Sequence, residues 1–283
     1  MRIVKRVGES FFEPFIREDI EPQVKKIIDE VKQKGDEALK RYTKEFDGLE
    51  IGELKVDFKA FEPEIDMRAI KSSIENVKKF SKRQLEKLKD FEYEIAPGVF
   101  TGQRVIPIER VGIYVPGGRY PLVSTLIMCA GPARVAGVEE IAICSPPSHN
   151  GTVHPTLLTI ANLLGIDEVY RVGGAQAIAA MAYGTETIKK ETKKVARENR
   201  YVNQAKKEVF GVVGIDLIAG PTEILIIADE TAEPEVVAAD LLAQAEHDVE
   251  ALPILVTNSS ILAEKVQKAV EFQARNLSTR EVA

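Results

Sequence analysis

Three polar side chains fall on one face of a predicted helix and could bind a metal ion or a substrate. The helix is predicted from Pro234 to His247, because proline suits a first turn, where a backbone N–H has no helical partner. Asp240, Gln244 and His247 follow one another at i, i+4 and i+7. Imidazole is the commonest zinc ligand, and an amide oxygen can assist it. The spacing alone leaves two interpretations open, a metal site or a solvated polar face, since two ligands do not close a zinc site.

Two glycine pairs mark a second kind of candidate site. Gly117-Gly118 follows one predicted strand, and Gly173-Gly174 follows another. Glycine lets a backbone approach a ligand closely, and the N-terminus of the next helix favours an anion such as a pyrophosphate. Neither pair fits the G-x-G-x-x-G fingerprint, and the sequence has no G-x-x-x-x-G-K-[ST] motif. The pairs therefore indicate either ligand contact or a tight strand-to-helix turn.

After Pro97, short runs of valine and isoleucine alternate with helical stretches rich in small residues. The predicted strands are Val111–Val115, Glu140–Cys144, Glu168–Val172, Ile224–Ala228 and Ile254–Thr257. The predicted helices lie near Leu122–Ala136, Pro155–Leu164, Ala175–Tyr183, Pro234–His247 and Ile261–Ala274. This alternation is typical of βαβ units, and continuously apolar strands favour a parallel sheet covered on both faces. The polar segment Lys189–Lys207 interrupts the pattern and is predicted to be an exposed helix or a loop.

The first hundred residues are predicted to be helical and highly charged. A first helix has one apolar face at 3.6-residue spacing, and Gly35 interrupts it. Asp36 then begins a second helix, and a third helical region follows. The apolar faces of the three consist of Ile20, Val24, Ile27, Ile28 and Val31, then Leu39, Tyr42 and Phe46, then Met67, Ile70, Ile74 and Val77.

The composition narrows the class of protein. The 283 residues are 45% hydrophobic and 29% charged, which is the balance of a globular protein. A net charge of −6 argues against a general nucleic-acid or membrane-surface role, because those partners are polyanionic. Cys129 and Cys144 are too few for a disulfide framework and suit a reducing cytoplasm. No apolar run is long enough for a signal peptide or a membrane span, so the protein is expected to be cytoplasmic.

Four sequence blocks closely resemble the histidinol dehydrogenase family. They are Arg110–Pro147, Arg171–Ile188, Val213–Ala232 and Ala238–Asp248, and they follow in the order and spacing of that family. The resemblance implies an α/β fold with two incomplete Rossmann-like domains, each with a parallel sheet, and a helical N-terminal region. It also implies domain limits: an arm over 1–20, a first domain of 21–113 with 214–283, and an inserted cofactor-side domain of 114–213.

The resemblance also implies a function and a set of site residues. The family oxidises L-histidinol to L-histidine through an aldehyde, in the last steps of histidine biosynthesis, as a homodimer that uses NAD, with zinc holding the substrate. The zinc ligands implied here are Gln244 and His247, which also line the substrate pocket with Thr222. The implied cofactor-binding residues are Tyr114, Gln176 and Asn199.

The resemblance also implies features that this sequence lacks. A Glu-His pair that handles protons is expected beyond Ala283, together with further zinc ligands. No catalytic residue is therefore assigned within the chain, which is expected to be inactive by itself. A truncated sheet would expose strand edges, so the chain is also expected to be oligomeric or prone to aggregation.

One turn departs from the pattern of the family. Ala196-Arg197-Glu198-Asn199 stands where the family has Gly-Pro-Gly-Asn. Arginine and glutamate side chains in place of glycine could block the dinucleotide, which gives the hypothesis that NAD binding is weakened or lost. The altered turn favours one alternative, a non-catalytic paralogue that binds a ligand or a partner. A dehydrogenase of another amino alcohol or a diol is a second alternative, since residues that discriminate between substrates are expected beyond Ala283.

Overall fold

The computed structural model describes residues 19–58, 66–117, 122–148, 150–196, 200–218, 223–246 and 251–277. The chain divides into a compact unit of Ile20–Ile218 and another that contains the residues from Ala219 onward. The predicted grouping of 21–113 with 214–283 is a different division, and it stays a prediction. The fold class is confirmed, because helices and parallel strands alternate after a helical N-terminal region. The predicted strands and helices are found to within about two residues at each end.

The first unit is built around one parallel sheet, called here the larger sheet. Among the described residues its strands lie in the order β5-β4-β3-β6-β7. Counted from its first strand along the chain, this is the 3-2-1-4-5 part of the Rossmann strand order. The elements of this unit are α1 (Glu21–Asp47), α2 (Met67–Leu85), β1 (Phe91–Ala96), β2 (Val99–Gln103), β3 (Arg110–Tyr114), α3 (Val123–Val135), β4 (Glu140–Ser145), α4 (Pro155–Leu163), β5 (Glu168–Arg171), α5 (Gly174–Tyr183), β6 (Lys193–Ala196), α6 (Arg200–Val209) and β7 (Gly214–Ile215).

Both faces of the larger sheet are covered, as the apolar strands predicted. Successive side chains of a strand point to opposite faces. Val111 and Ile113 of β3 therefore pack in a core with α2, α3 and α4. Tyr114 belongs to a second core, which contains residues of α1, α5 and α6. Burial on both sides favours a strand that is apolar along most of its length.

A buried arginine holds together the edge at which the strands of the larger sheet begin. Arg110, the first residue of β3, has a side chain only 8% exposed, and it is paired with three carboxylates. Its Nη1 lies 2.5 Å from Glu140, its Nη2 lies 2.5 Å from Glu168, and its Nε lies 3.0 Å from Glu191. Burial opposes the charged guanidinium, but the hydrogen bond to Glu168 and the neighbouring carboxylates raise the pKa of Arg110 above its ordinary value.

The prediction for Lys189–Lys207 is wrong in part. This segment contains β6, which pairs with β3 on one side and with β7 on the other, and it also contains most of α6. Lys206 is only 1% exposed and forms an ion pair with Asp216. Strand pairing uses backbone groups, so a lysine-rich composition does not prevent it. The pattern of charges therefore concealed a strand in the interior of the sheet.

The helical prediction for the first hundred residues also needs two corrections. Phe91–Ala96 and Val99–Gln103 form an antiparallel hairpin in which every residue is exposed. Phe46, which was predicted on an inner helix face, is 54% exposed. Leu39 and Tyr42, its predicted companions, are buried as expected.

The predicted interruption at Gly35 is confirmed as a kink within α1. Gly35 has φ 51° and ψ −128°, and a Cβ at this position would collide with the carboxylate of Glu186. The next residue, Asp36, donates its backbone N–H to Glu186 at 2.8 Å and accepts a hydrogen bond from the Thr187 hydroxyl. These contacts fix the direction in which the second half of α1 leaves the kink.

The second unit consists of a parallel strand pair and two helices among its described residues. The inner face of its first helix consists of Val237, Ala238, Leu241 and Leu242, which are all buried. Its elements are β8 (Glu223–Ala228), α7 (Pro234–Ala245), β9 (Leu252–Thr257) and α8 (Ser260–Ala274). Across the described ranges of both units, no helix combines the length and the apolar character needed to span a membrane.

Candidate functional site

A pocket of about 600 Å³ lies in the first unit, at the edge where β3, β4 and β5 end. In open α/β sheets, ligands bind outside the carboxyl ends of the strands, where the strand order reverses. Tyr114 and Gln176, two of the predicted cofactor-binding residues, both line the pocket. The residues that line the pocket include Lys26, Arg41, Tyr42, Glu45, Phe46, Asp47, Tyr114, Gly117, Pro146, Gly173, Gly174, Gln176 and Tyr201.

Tyr114 is held in a fixed position at the end of β3. The residue is 3% exposed, and its hydroxyl oxygen accepts a hydrogen bond of 3.1 Å from the backbone N–H of Gly174. Gly174 is the first residue of α5, so the tyrosine joins the central strand to the start of a helix. Its ring therefore forms a preorganised wall of the pocket.

Gln176 has an unsatisfied polar atom in this pocket. The residue is 1% exposed, and its Oε1 is buried without a hydrogen-bond partner among the described residues. A buried acceptor that lacks a partner costs about 1–3 kcal/mol. A ligand that donates a hydrogen bond to Oε1 would remove this cost, so Gln176 is well placed to bind one.

The glycine pairs serve the packing of the pocket loops. A Cβ at Gly117 would collide with the ring of Pro146, and one at Gly173 would lie 2.7 Å from the Pro146 Cβ. Pro146 follows β4, so its ring is seated between the loops that follow β3 and β5. Of the two interpretations offered for the glycines, tight packing explains Gly117 and Gly173. Gly118 lies outside the described residues.

The altered turn begins at the same edge of the sheet. Ala196, the last residue of β6, pairs with Tyr114 in the parallel register. The strand order reverses between β3 and β6, so the segment from Ala196 onward starts at the switch point. The predicted cofactor residue Asn199 lies outside the described residues, and its role stays a prediction.

The second half of α1 forms a wall of the pocket that sequence reasoning did not identify. Tyr42 and Phe46 stack with ring centroids 5.4 Å apart, and Asp47 follows them at the end of the helix. The Oδ2 of Asp47 is buried without a hydrogen-bond partner in the described part of the chain. Burial raises the pKa of Asp47 to about 6. The available signal was an aromatic pair at i, i+4 beside an acid, which does not by itself indicate a pocket.

The predicted metal site falls only partly within the described residues. Gln244 lies half-buried in the last turn of α7, whose helix ends at Ala245. His247 and Thr222 lie outside the described residues, so their grouping with Gln244 stays a prediction. Within the ranges that the structure describes, no three His, Cys, Asp or Glu side chains are grouped so that they could hold a metal ion.

The strand order and the pocket at its switch point define a Rossmann-like α/β protein. The family model for histidinol dehydrogenase matches residues 15–283. Histidinol dehydrogenases of Streptococcus mutans and Methanocaldococcus jannaschii are each 46% identical to the chain over 271 residues, covering 94% of it. The crystal structure of histidinol dehydrogenase from Elizabethkingia anophelis superposes with a TM-score of 0.84 at 37% identity, covering 98% of this chain and 66% of that one. The chain therefore belongs to the histidinol dehydrogenase family.

The match covers only part of the relatives. The chain spans 62% of the length of the Streptococcus mutans protein and 63% of the Methanocaldococcus jannaschii protein.

Proposed function

We propose that this chain is the cofactor-binding part of a cytoplasmic, homodimeric histidinol dehydrogenase. The whole protein would oxidise L-histidinol to L-histidine through an aldehyde, using NAD and zinc, in histidine biosynthesis. The observation that carries the proposal is the pocket at the switch point of the larger sheet, lined by Tyr114 and Gln176. Membership of the family supports the substrate and the pathway.

The residues of the pocket suit a dinucleotide. Gln176 offers a buried acceptor without a partner among the described residues, and Tyr114 offers a fixed aromatic wall. Asn199 is proposed to join them from the turn after β6. NAD, when bound, supplies the acceptor for the hydride that leaves the substrate carbon. Tyr114 and Gln176 orient the cofactor and exclude water from its binding surface.

Gln244 and His247 are the proposed zinc ligands, and Thr222 is proposed to contact the substrate beside them. An amide oxygen and an imidazole are compatible with zinc, but a closed site needs further ligands. When bound, zinc would hold the substrate and polarise it. The support for this part of the proposal is family membership and the position of Gln244 in the last turn of α7.

A second candidate function, a non-catalytic paralogue, is favoured by the altered turn. The turn begins at Ala196, whose backbone pairs with that of Tyr114, a residue of the pocket wall. Arg197 and Glu198 in place of proline and glycine would then restrict the space for a dinucleotide. In this case the pocket would bind a smaller ligand or a partner and would not support hydride transfer.

Calorimetric titration with NAD separates the two candidates. The chain and its A196G/R197P/E198G variant are titrated in parallel, with Glu75→Gln as the control, because the side chain of Glu75 is 65% exposed on α2 and does not line the pocket. The dehydrogenase proposal predicts saturable NAD binding that becomes about tenfold tighter in the triple variant, because close approach is restored. Absence of NAD binding to both proteins would favour the paralogue.

Activity is tested on a chain extended to the length of its relatives. Histidinol-dependent formation of NADH is measured with and without added zinc. Activity that needs both L-histidinol and zinc supports the proposal, and activity with a different amino alcohol or a diol would redirect it to that substrate.

A further inference from the structure

Asp47 is a charged group that the proposed function does not yet use. It lies in the pocket wall formed by α1, and its Oδ2 is buried without a hydrogen-bond partner among the described residues. The nearby cation Arg41 is already engaged, because it forms ion pairs with Glu30 and Glu45. No other cation within the described ranges forms an ion pair with Asp47. A carboxylate left in this state costs stability unless a ligand supplies donors.

The surroundings of Asp47 restrict the ligand that fits. Phe46, the preceding residue, lines the same pocket and is 54% exposed, so it offers an apolar surface to a flat group. A divalent cation fits poorly, because it needs several oxygen ligands and the carboxylate of Glu45 is paired with Arg41. A neutral ligand with adjacent hydroxyl donors and a flat base matches both the carboxylate and the aromatic ring.

We propose that Asp47 selects the adenosine half of the cofactor: its carboxylate accepts hydrogen bonds from the vicinal ribose hydroxyls and repels a ribose that carries a 2′-phosphate. Rossmann-like folds use an acidic residue in this way to prefer NAD to NADP. Here the acid comes from the N-terminal helix and not from the strand after the first crossover. The inference rests on the proposed function, since it requires a dinucleotide in this pocket.

The unusual state of the carboxylate agrees with this role. Burial raises the pKa of Asp47 to about 6, so the group is mostly ionised at neutral pH despite its position. Perturbed carboxyl groups in clefts are often binding groups. Ionised Asp47 accepts hydrogen bonds from ribose hydroxyls and repels a phosphate. Discrimination between NAD and NADP requires these two properties.

The test compares Asp47→Asn with Asp29→Asn. Asp29 lies in the first half of α1, its side chain is 65% exposed, and it is not a lining residue of the pocket, so D29N makes the same change of charge away from the proposed contact. Dissociation constants for NAD and NADP are measured by calorimetry on all three proteins. In D47N, NAD binding is expected to weaken about tenfold and the preference for NAD over NADP to fall by a similar factor. D29N is expected to leave the ratio unchanged.

Each result has a defined meaning. If the unmodified chain binds NAD and D47N keeps the same ratio of NAD to NADP affinity, the role of Asp47 is wrong and the proposed function stands. If the unmodified chain binds neither nucleotide, the proposed function fails, and the role of Asp47 fails with it. A purely structural Asp47 would lower the stability of D47N, so urea unfolding is measured as well. If D47N does not fold, Asp47→Ser provides a second variant, with the same expected loss of preference.

Discussion

The two edges of the larger sheet differ in how their buried polar groups are paired within the protein. At the edge where the strands begin, Arg110 is surrounded by three carboxylates within 3.0 Å of its nitrogens. At the edge where they end, the Oε1 of Gln176 and the Oδ2 of Asp47 are buried without hydrogen-bond partners among the described residues. The first set is held by ion pairs within the protein, whereas the described residues supply neither an ion pair nor a hydrogen bond to the two oxygens of the second set.

This difference distinguishes residues that stabilise the fold from residues that are proposed to bind a ligand. Removing one member of a buried ion-pair network leaves the charges of the others uncompensated, which is strongly destabilising. Removing a group that has no partner costs the fold little and is felt when a ligand binds. Substitutions at the two edges should therefore have opposite profiles in stability and in affinity.

The largest expected effect is on stability, at the edge where the strands begin. Arg110→Met leaves Glu140, Glu168 and Glu191 without their shared cation, and we expect a loss of about 3–5 kcal/mol in the free energy of unfolding. Urea unfolding provides the measurement. Arg68→Met is the control, because the side chain of Arg68 is 93% exposed, and its effect should be within about 0.5 kcal/mol. Equal losses in the two variants would contradict the comparison.

The next effect is on affinity, at the edge where the strands end. Gln176→Met keeps the length of the side chain and removes the unpartnered oxygen, so we expect NAD binding to weaken about tenfold. The free energy of unfolding should change by less than about 0.5 kcal/mol or rise, because no hydrogen bond to Oε1 is lost within the described protein. Calorimetry and urea unfolding on the same samples check both quantities. A large loss of stability with unchanged NAD affinity would show that Gln176 stabilises the fold and does not bind the cofactor.

The smallest expected effect is a change in how stability depends on pH. The pKa of Asp47 is raised by burial from 3.8 to about 6, so between these values the folded state binds more protons than the unfolded state. Stability from this group is therefore complete below about pH 4 and is lost as the pH rises through about 6. D47N should lack this decrease, which is on the order of 1 kcal/mol after solvent screening is allowed for.

The measurement is urea unfolding of the unmodified chain and D47N between pH 4 and 8. The other titratable groups of the pocket wall are common to both proteins and cancel in the difference. They are Lys26, Arg41, Tyr42, Glu45, Tyr114 and Tyr201. Parallel curves for the two proteins would show that Asp47 has an ordinary pKa.

Much of the larger sheet could be predicted from the sequence. The strands β3 and β4 are largely apolar runs, and burial on both faces favours this pattern. The strand β6 could not be predicted, because Lys193 and Lys194 resemble a solvated segment and the backbone pairing that defines the strand leaves no mark on composition. The exposed hairpin of β1 and β2 likewise has no buried face to produce a pattern.

The candidate site could be predicted in part. Tyr114 and Gln176 were assigned by family resemblance, and the structure brings both into one pocket. Phe46 fits a helical apolar stripe, so periodicity placed it in the core, whereas it lines the pocket. A role for Asp47 could not be predicted from the sequence, because the residue reaches the pocket only through the packing of α1 against strands that are far away in the sequence. The grouping of His247 with Gln244 stays a prediction.

Because α1 is kinked at Gly35, the length of the helical segment that follows determines the direction in which Asp47 points. An α-helix turns about 100° and advances about 1.5 Å with each residue. The contacts of Asp36 with Glu186 and Thr187 fix the starting angle of the segment, and Asp47 lies at its far end. Deleting one residue between Asp36 and Arg41 would rotate the rest of the segment by about 100°, so all of its lining residues, from Arg41 to Asp47, would turn away from the pocket. The number of residues in this segment thus determines the rotation of the helix about its axis, and with it which side chains face the pocket.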